Sequence, residues 1–241
     1  MLQCAAMTFD GITTIVFDFD GTLATCPYDF THMRRSILAT AEEFGLAREQ
    51  LAGFGLLEAI GEGAELLAAD AARAAAFHEL AMARLGAIEY EAAARTRLLP
   101  GVIDALEGLH ALGYRLGVVT RNSTAAVQRI LGKIALPVEV ILCREDVERP
   151  KPHIDHVRQV LEHLDTLPVH ALMVGDHPTD IRMGKAAGMA TVAVCTGQTS
   201  AADLRAATPD LMLPSVLTLA KLLVGQRIGA PEVTLRLPSG Y

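Results

Sequence analysis

The stretch Thr13-Thr14-Ile15-Val16-Phe17-Asp18-Phe19-Asp20-Gly21-Thr22 decides how this chain is read. Its first five residues are β-branched or aromatic, the make-up of a buried strand. The run stops on two carboxylates one residue apart, followed by a glycine that permits a tight backbone. Taken alone, Asp18-x-Asp20-Gly21 reads first as a strand closing in a turn, because Asp and Gly are ordinary turn residues. Partners further along the chain decide between a turn and a site.

Two textures follow. From Tyr28 to Arg97 there are no comparable β-branched runs, and Ala, Leu and Glu dominate. Phe77, Leu80, Ala81 and Leu85 keep helical spacing inside the Ala-rich stretch Ala64 to Leu85. Gly45, Gly53, Gly55, Gly61 and Gly63 punctuate the region into three or four helices. Residues 24–97 therefore read as an all-helical insert, with 1–23 and 98–241 forming the main α/β domain. After Pro100-Gly101 the chain alternates. Helices are expected over Val102–Leu112, Thr124–Leu131, Ile154–Leu164, Pro178–Ala187 and Val216–Leu223. Strands are expected over Arg115–Val119, Val138–Leu142, Ala171–Val174, Thr191–Val194 and Asp210–Leu213. Mostly apolar strands alternating with helices predict a doubly wound parallel sheet covered on both faces. In the tail, Gly225 to Tyr241, alternating Val233, Leu235 and Leu237 fit an edge strand or a loose end.

Composition narrows the function. Of 241 residues, 51% are hydrophobic and 20% charged, the balance of a globular chain with a sizeable core. Lys and Arg number 21 against 28 Asp and Glu, a net charge of −7. Arg34-Arg35 is the longest basic run, which argues against a nucleic-acid partner. No stretch approaches the ~20 apolar residues of a membrane helix. The start lacks a basic segment and does not read as a secretory signal. Cys4, Cys26, Cys143 and Cys195 form no C-x-x-C pair. They read as small buried residues of a reducing, cytoplasmic compartment.

In open α/β sheets, ligands bind beyond the carboxyl ends of the strands. Here those ends carry Asp18 and Asp20, then Thr120-Arg121-Asn122, then the loop ending in Arg149-Pro150-Lys151-Pro152, then Gly175-Asp176 with Asp180 four residues on. Packing does not ask for four carboxylates at one edge. Together they repel and raise one another's pKa unless a cation holds them. Their fitting partner is a hard, oxygen-seeking ion such as magnesium. That ion and the Lys151 ammonium, facing the carboxylates, make a cage for a dianionic phosphoryl group. Aspartate is a nucleophile type that forms phosphoryl intermediates, and a second carboxyl can serve as acid and then base.

The segment Asp18-Phe19-Asp20-Gly21-Thr22-Leu23, with Thr120, Lys151 and Gly175-Asp176…Asp180, resembles the four motifs of the haloacid dehalogenase-like phosphohydrolases. The helical insert is similar to the cap of the phosphoglycolate phosphatase-like branch. The resemblance implies Asp18 as nucleophile and Asp20 as acid and base. It implies Thr120 as the phosphate-binding hydroxyl and Lys151 as the charge-neutralising lysine. Magnesium would be held by the side chains of Asp18, Asp176 and Asp180 and by the backbone carbonyl of Asp20. Gly21, Arg121 and Asn122 join Thr120 and Lys151 as expected substrate-binding positions. An acid at position 20 favours phosphoester hydrolysis or phosphomutase chemistry over dehalogenation. The expectation is a magnesium-dependent phosphatase acting on a small phosphorylated metabolite, with a phosphomutase and a non-catalytic phosphate-binding protein as alternatives. Neither the substrate nor the oligomeric state is written in the sequence.

Several residues carry plainer readings beside these. Lys151 fits a solvated loop charge, and Asp180 fits an acid at a helix start behind Pro178. Asn122 fits a helix cap as well as a substrate contact. His177 fits a structural role as well as a place lining the pocket. His153 and His156, spaced i and i+3 without an H-E-x-x-H, read as a solvated helix face. Arg34 and Arg35 read as solvated charges of the insert, with contact to an anionic substrate as the alternative.

Overall fold

The computed structural model describes residues 9–227. In chain order the elements are β1 (Thr14–Phe17), α1 (Phe30–Glu43), α2 (Arg48–Leu51), α3 (Leu56–Leu66), α4 (Ala71–Ala93), α5 (Val102–Ala111), β2 (Arg115–Val119), α6 (Thr124–Leu131), β3 (Val140–Leu142), α7 (Ile154–His163), β4 (Ala171–Gly175), α8 (Pro178–Ala187), β5 (Ala190–Val194), α9 (Ala201–Ala206), β6 (Leu211–Leu213) and α10 (Val216–Arg227). The six strands form one parallel sheet in the order β3-β2-β1-β4-β5-β6. The chain winds outward from β1 to β3 on one side, then returns to β4 on the other. β1 and β4 therefore flank the switch point, where a doubly wound sheet opens a crevice at its carboxyl edge.

Strand alternation accounts for both layers of core. Ile15, Phe17, Leu116, Val118, Leu172 and Val174 point to one face, against Leu106 and Leu109 of α5, Val127 of α6 and Leu219 of α10. Val16, Val119, Ala171 and Met173 point to the other, against Val157, Val160 and Leu161 of α7 and Met183 of α8. Burial on both faces is why these strands read as unbroken apolar runs.

Compact packing divides the chain into residues up to Cys26 together with Thr96 onward, and Pro27–Arg95. The division falls inside the expected 24–97 because the flanks pair with each other. Leu99 N–H donates to Leu23 O and Thr25 N–H to Arg97 O, both at 2.8 Å. The second unit is four helices, α1 to α4. Its core joins Met33, Ile37, Ile60, Phe77, Ala81 and Leu85. Phe77 meets the Phe44 ring edge-on, with centroids 5.6 Å apart.

Some expectations need correction. The Ala-rich stretch Ala64 to Leu85 spans the end of α3 and most of α4, because the chain turns at 67–70. There Asp70 caps α4 by accepting the Arg73 N–H at 3.1 Å. Gly61 and Gly63 lie within α3 rather than ending it. β3 starts late, since the Val138 N–H bends back to Leu136 O. Helix α9 was not anticipated, although Ser200 and Asp203 form the cap signature that announces it. α10 runs through Gly225, whose helical cost of about 1 kcal/mol does not stop it. Cys195 is exposed just past β5 and is not a buried small residue; Cys143 is buried. Val233, Leu235, Leu237 and Cys4 lie outside the described residues. Among the described residues, no helix is long and apolar enough to cross a membrane.

Candidate active site

The crevice between β1 and β4 gathers the acids. Asp18 follows β1, and its N–H donates to Val174 O on β4 at 2.8 Å. Asp176 follows β4, and Asp180 sits in the first turn of α8. Carboxylate oxygens of Asp18, Asp176 and Asp180 lie within 4.8 Å of one another, and all three residues are buried. Thr22 Oγ1 donates to Asp176 Oδ1 at 3.0 Å and lies 3.4 Å from Asp18 Oδ2.

Lys151 enters this cluster from the β3–α7 loop. Its ammonium donates to Asp18 Oδ1 and, at 2.8 Å, to Asp180 Oδ1. At 5% exposure it is no solvated loop charge. Burial works against its charge, but Asp18 and Asp180 outweigh burial and hold the ammonium's pKa above its ordinary value. Asp180 serves two ends at once, since its Oδ2 also accepts the His177 N–H at 3.2 Å.

Asp20 stands apart from those three, on the β2 side. Thr120 Oγ1 donates to its Oδ2 at 3.1 Å, and Asn122 Nδ2 reaches both its oxygens at 3.0 and 3.2 Å. Asn122 is thus not the cap of α6. That place belongs to Ser123, whose side chain accepts the Ala126 N–H. The Asn122 amide is occupied with Asp20, and its Oδ1 accepts the Ser123 N–H at 2.9 Å. Arg121 sits half-exposed on the same loop. Its carbonyl is held by Arg144 Nη1 at 3.1 Å.

Glycines make room for the acids. Gly21, at φ +85, lies so near Asp176 that a Cβ there would fall 2.4 Å from Oδ2. A Cβ on Gly197, beyond β5, would fall 1.6 Å from the same oxygen. Thr196 Oγ1 donates to Gly21 O at 2.6 Å and closes that side.

The donor set fits a divalent cation. Three buried carboxylates face one ammonium, which leaves a deficit of positive charge. Burial, then the charges of Asp18 and Asp180, pushes the Asp176 carboxyl up to about 9. Burial likewise raises Asp180, with Lys151 working against the rise. All available ligand atoms are oxygens, the set that magnesium prefers.

Other predicted residues fall elsewhere. His177 caps α8, accepting the Thr179 N–H on Nδ1 at 3.2 Å. His153 caps α7. His156 is wholly buried, which corrects the solvated-face reading. It lies four residues before Val160, on the apolar stripe of α7, and that spacing could have revealed it. In the helical unit, Arg34 is not a free charge. It donates to the carbonyls of Leu51, Ala52 and Phe54 and fastens the turn after α2. Sequence reasoning gave no role to Thr22, Thr196 or Gly197.

Strand order, crevice and acid cluster together define a doubly wound α/β core with an acidic site at its switch point. A model of the haloacid dehalogenase-like hydrolases matches residues 15–194, well over half of the sequence, and the chain belongs to that family. It is 36% identical over 124 residues to pyrophosphatase PpaX of Bacillus cereus, covering 51% of this chain and 57% of that one. It is 28% identical over 131 residues to a phosphoglycolate phosphatase of Nitrosococcus oceani, covering 54% and 58%. The chain thus spans under two thirds of the curated relatives it matches. A crystal structure described as a predicted phosphoglycolate phosphatase from Haemophilus somnus superposes with a TM-score of 0.62. That match covers 90% of this chain and 99% of that one at 24% identity, and it speaks to the fold.

Proposed function

We propose that the chain is a magnesium-dependent phosphatase that hydrolyses a small phosphorylated metabolite through a phosphoryl group carried on Asp18. The observation that carries the reading is the buried meeting of Asp18, Asp176, Asp180 and Lys151 at the β1–β4 switch point. Relatives named for pyrophosphate and phosphoglycolate hydrolysis support the substrate class.

Asp18, Asp176 and Asp180, with the Asp20 backbone carbonyl, would hold the ion. When bound, magnesium neutralises charge between nucleophile and phosphate and orients both. The Lys151 ammonium draws in the phosphoryl dianion. A carboxylate oxygen of Asp18 attacks phosphorus in line as the bond to the leaving oxygen breaks. Asp20, protonated, hands its proton to that oxygen. It then takes a proton from the water that attacks phosphorus, releasing phosphate and restoring Asp18. Asn122 orients Asp20 for both transfers, and the Thr120 hydroxyl, turned from Asp20 to the substrate, would with a neighbouring N–H hold phosphoryl oxygens as charge shifts.

A phosphate-release screen over phosphorylated metabolites, pyrophosphate and phosphoglycolate included, with and without magnesium, tests the reading. Steady, magnesium-dependent release is expected, and it separates hydrolysis from mutase transfer. Asp18→Asn should abolish release with the fold intact, and Asp20→Asn should lower it about 10²- to 10⁴-fold. Release from no substrate, or an Asp18→Asn protein as active as its parent, would overturn it.

A further inference from the structure

Lys151 is gripped at both ends. Its ammonium lies between Asp18 and Asp180, while its backbone N–H donates to His156 Nδ1 at 3.1 Å. The other ring nitrogen, Nε2, is 3.2 Å from the Leu142 carbonyl oxygen at the end of β3. A carbonyl oxygen only accepts, so Nε2 carries the hydrogen and Nδ1 offers a lone pair. The Lys151 N–H requires that same tautomer. The Leu142 oxygen also accepts the Thr120 N–H, at 3.0 Å. One imidazole therefore ties the backbone of Lys151 to the end of β3 and, through a shared oxygen, to that of Thr120.

The geometry points to His156 as a positioning residue that fixes the Lys151 backbone and so keeps its ammonium between Asp18 and Asp180. Its effect on rate rests on the phosphatase reading. Burial first, then the Lys151 charge, depresses the imidazole pKa to about 4, so the ring stays neutral in ordinary buffers. A side chain that merely filled space on α7 would need neither nitrogen aimed in this way.

The orientation makes the role separable from packing. His156→Asn places its oxygen near the Nδ1 position and can still accept the Lys151 N–H. His156→Gln places its amide nitrogen near Nε2 and cannot. With p-nitrophenyl phosphate and magnesium, the Asn variant should keep most of its kcat/KM. The Gln variant should lose about 10- to 100-fold, with both unfolding at the same temperature. In a Lys151→Met background, His156→Gln should cost nothing further, as expected for two residues acting as one unit. Equal losses in the Asn and Gln variants, losses that follow unfolding temperature, or additive losses in the double variant would each overturn the assignment. If the unsubstituted protein released no phosphate, the phosphatase reading would fail. Nitrogen NMR would then decide this inference. A coupling across the hydrogen bond from the Lys151 amide to a neutral His156 protonated at Nε2 supports it, and the absence of that coupling overturns it.

Discussion

Asp176 is the residue at which folding and chemistry pull hardest against each other. Burial and two neighbouring carboxylates hold its carboxyl up to about 9, against an ordinary 3.8. In the cation-free fold it is therefore protonated at neutral pH, while in the unfolded chain it is ionised. The stability carried by the protonated form is full below pH 3.8 and is lost as pH rises through about 9. Asp176→Asn imitates that form permanently. Without magnesium at pH 8 it should resist urea better than its parent, by on the order of 2 kcal/mol or more. Added magnesium should stabilise the parent and leave the variant unmoved. Ion binding by the parent at pH 7 should expel protons, visible by calorimetry in buffers of different ionisation heat. A less stable variant at pH 8, or equal stabilisation of both proteins by magnesium, contradicts this account. Asp176 was legible in the sequence because a carboxylate directly after an apolar strand has no packing purpose. Gly197 was not. Its contact with Asp176 bridges 21 residues of chain, and a glycine in a Thr-Gly-Gln loop looks like any turn.

Among the elements, α8 carries Asp180 and lies close on the sheet. A Cβ on Gly184 would sit 2.7 Å from Met173 Cβ on β4 and 3.0 Å from Thr191 Cγ2 on β5. Met173 Cβ is fixed to the strand backbone and cannot swing aside. Gly184→Ala should therefore destabilise by about 1–3 kcal/mol, in spite of the gain in helix propensity. Gly108→Ala in α5 meets nothing within 4 Å and should stabilise by about 0.5–1 kcal/mol. Chemical denaturation of the pair tests this, and shifts of the same sign would contradict it. Element positions were largely legible. β2, α6 and α8 match their expected limits residue for residue; Pro178 and Gly188 mark α8, and the apolar run Leu116 to Val119 marks β2. The insert was less so. Its helices are set by long-range packing, such as Gly63 under the Phe77 ring, and glycine spacing alone misplaced the breaks.

At the scale of the whole chain, topology supplies what no local motif does. The order β3-β2-β1-β4-β5-β6 sets Asp18 beside Asp176 across 158 positions of sequence and brings Lys151 in from the β3 side. The alternation of strands and helices foretold that meeting. The division of labour within it was not foretold, since Asn122 serving Asp20 and His156 serving Lys151 depend on side-chain directions that spacing does not record. The proposed chemistry stands on Asp18 itself carrying the phosphoryl group. Asp20→Asn, given p-nitrophenyl phosphate and magnesium and quenched in acid, tests it most directly. The good leaving group needs little help from an acid, while the missing base slows water's attack. One equivalent of p-nitrophenolate should be released in a burst, with the mass of a single phosphoryl group added to the peptide containing Asp18. An unmodified Asp18 peptide, in a protein whose parent turns over the same substrate, would contradict it.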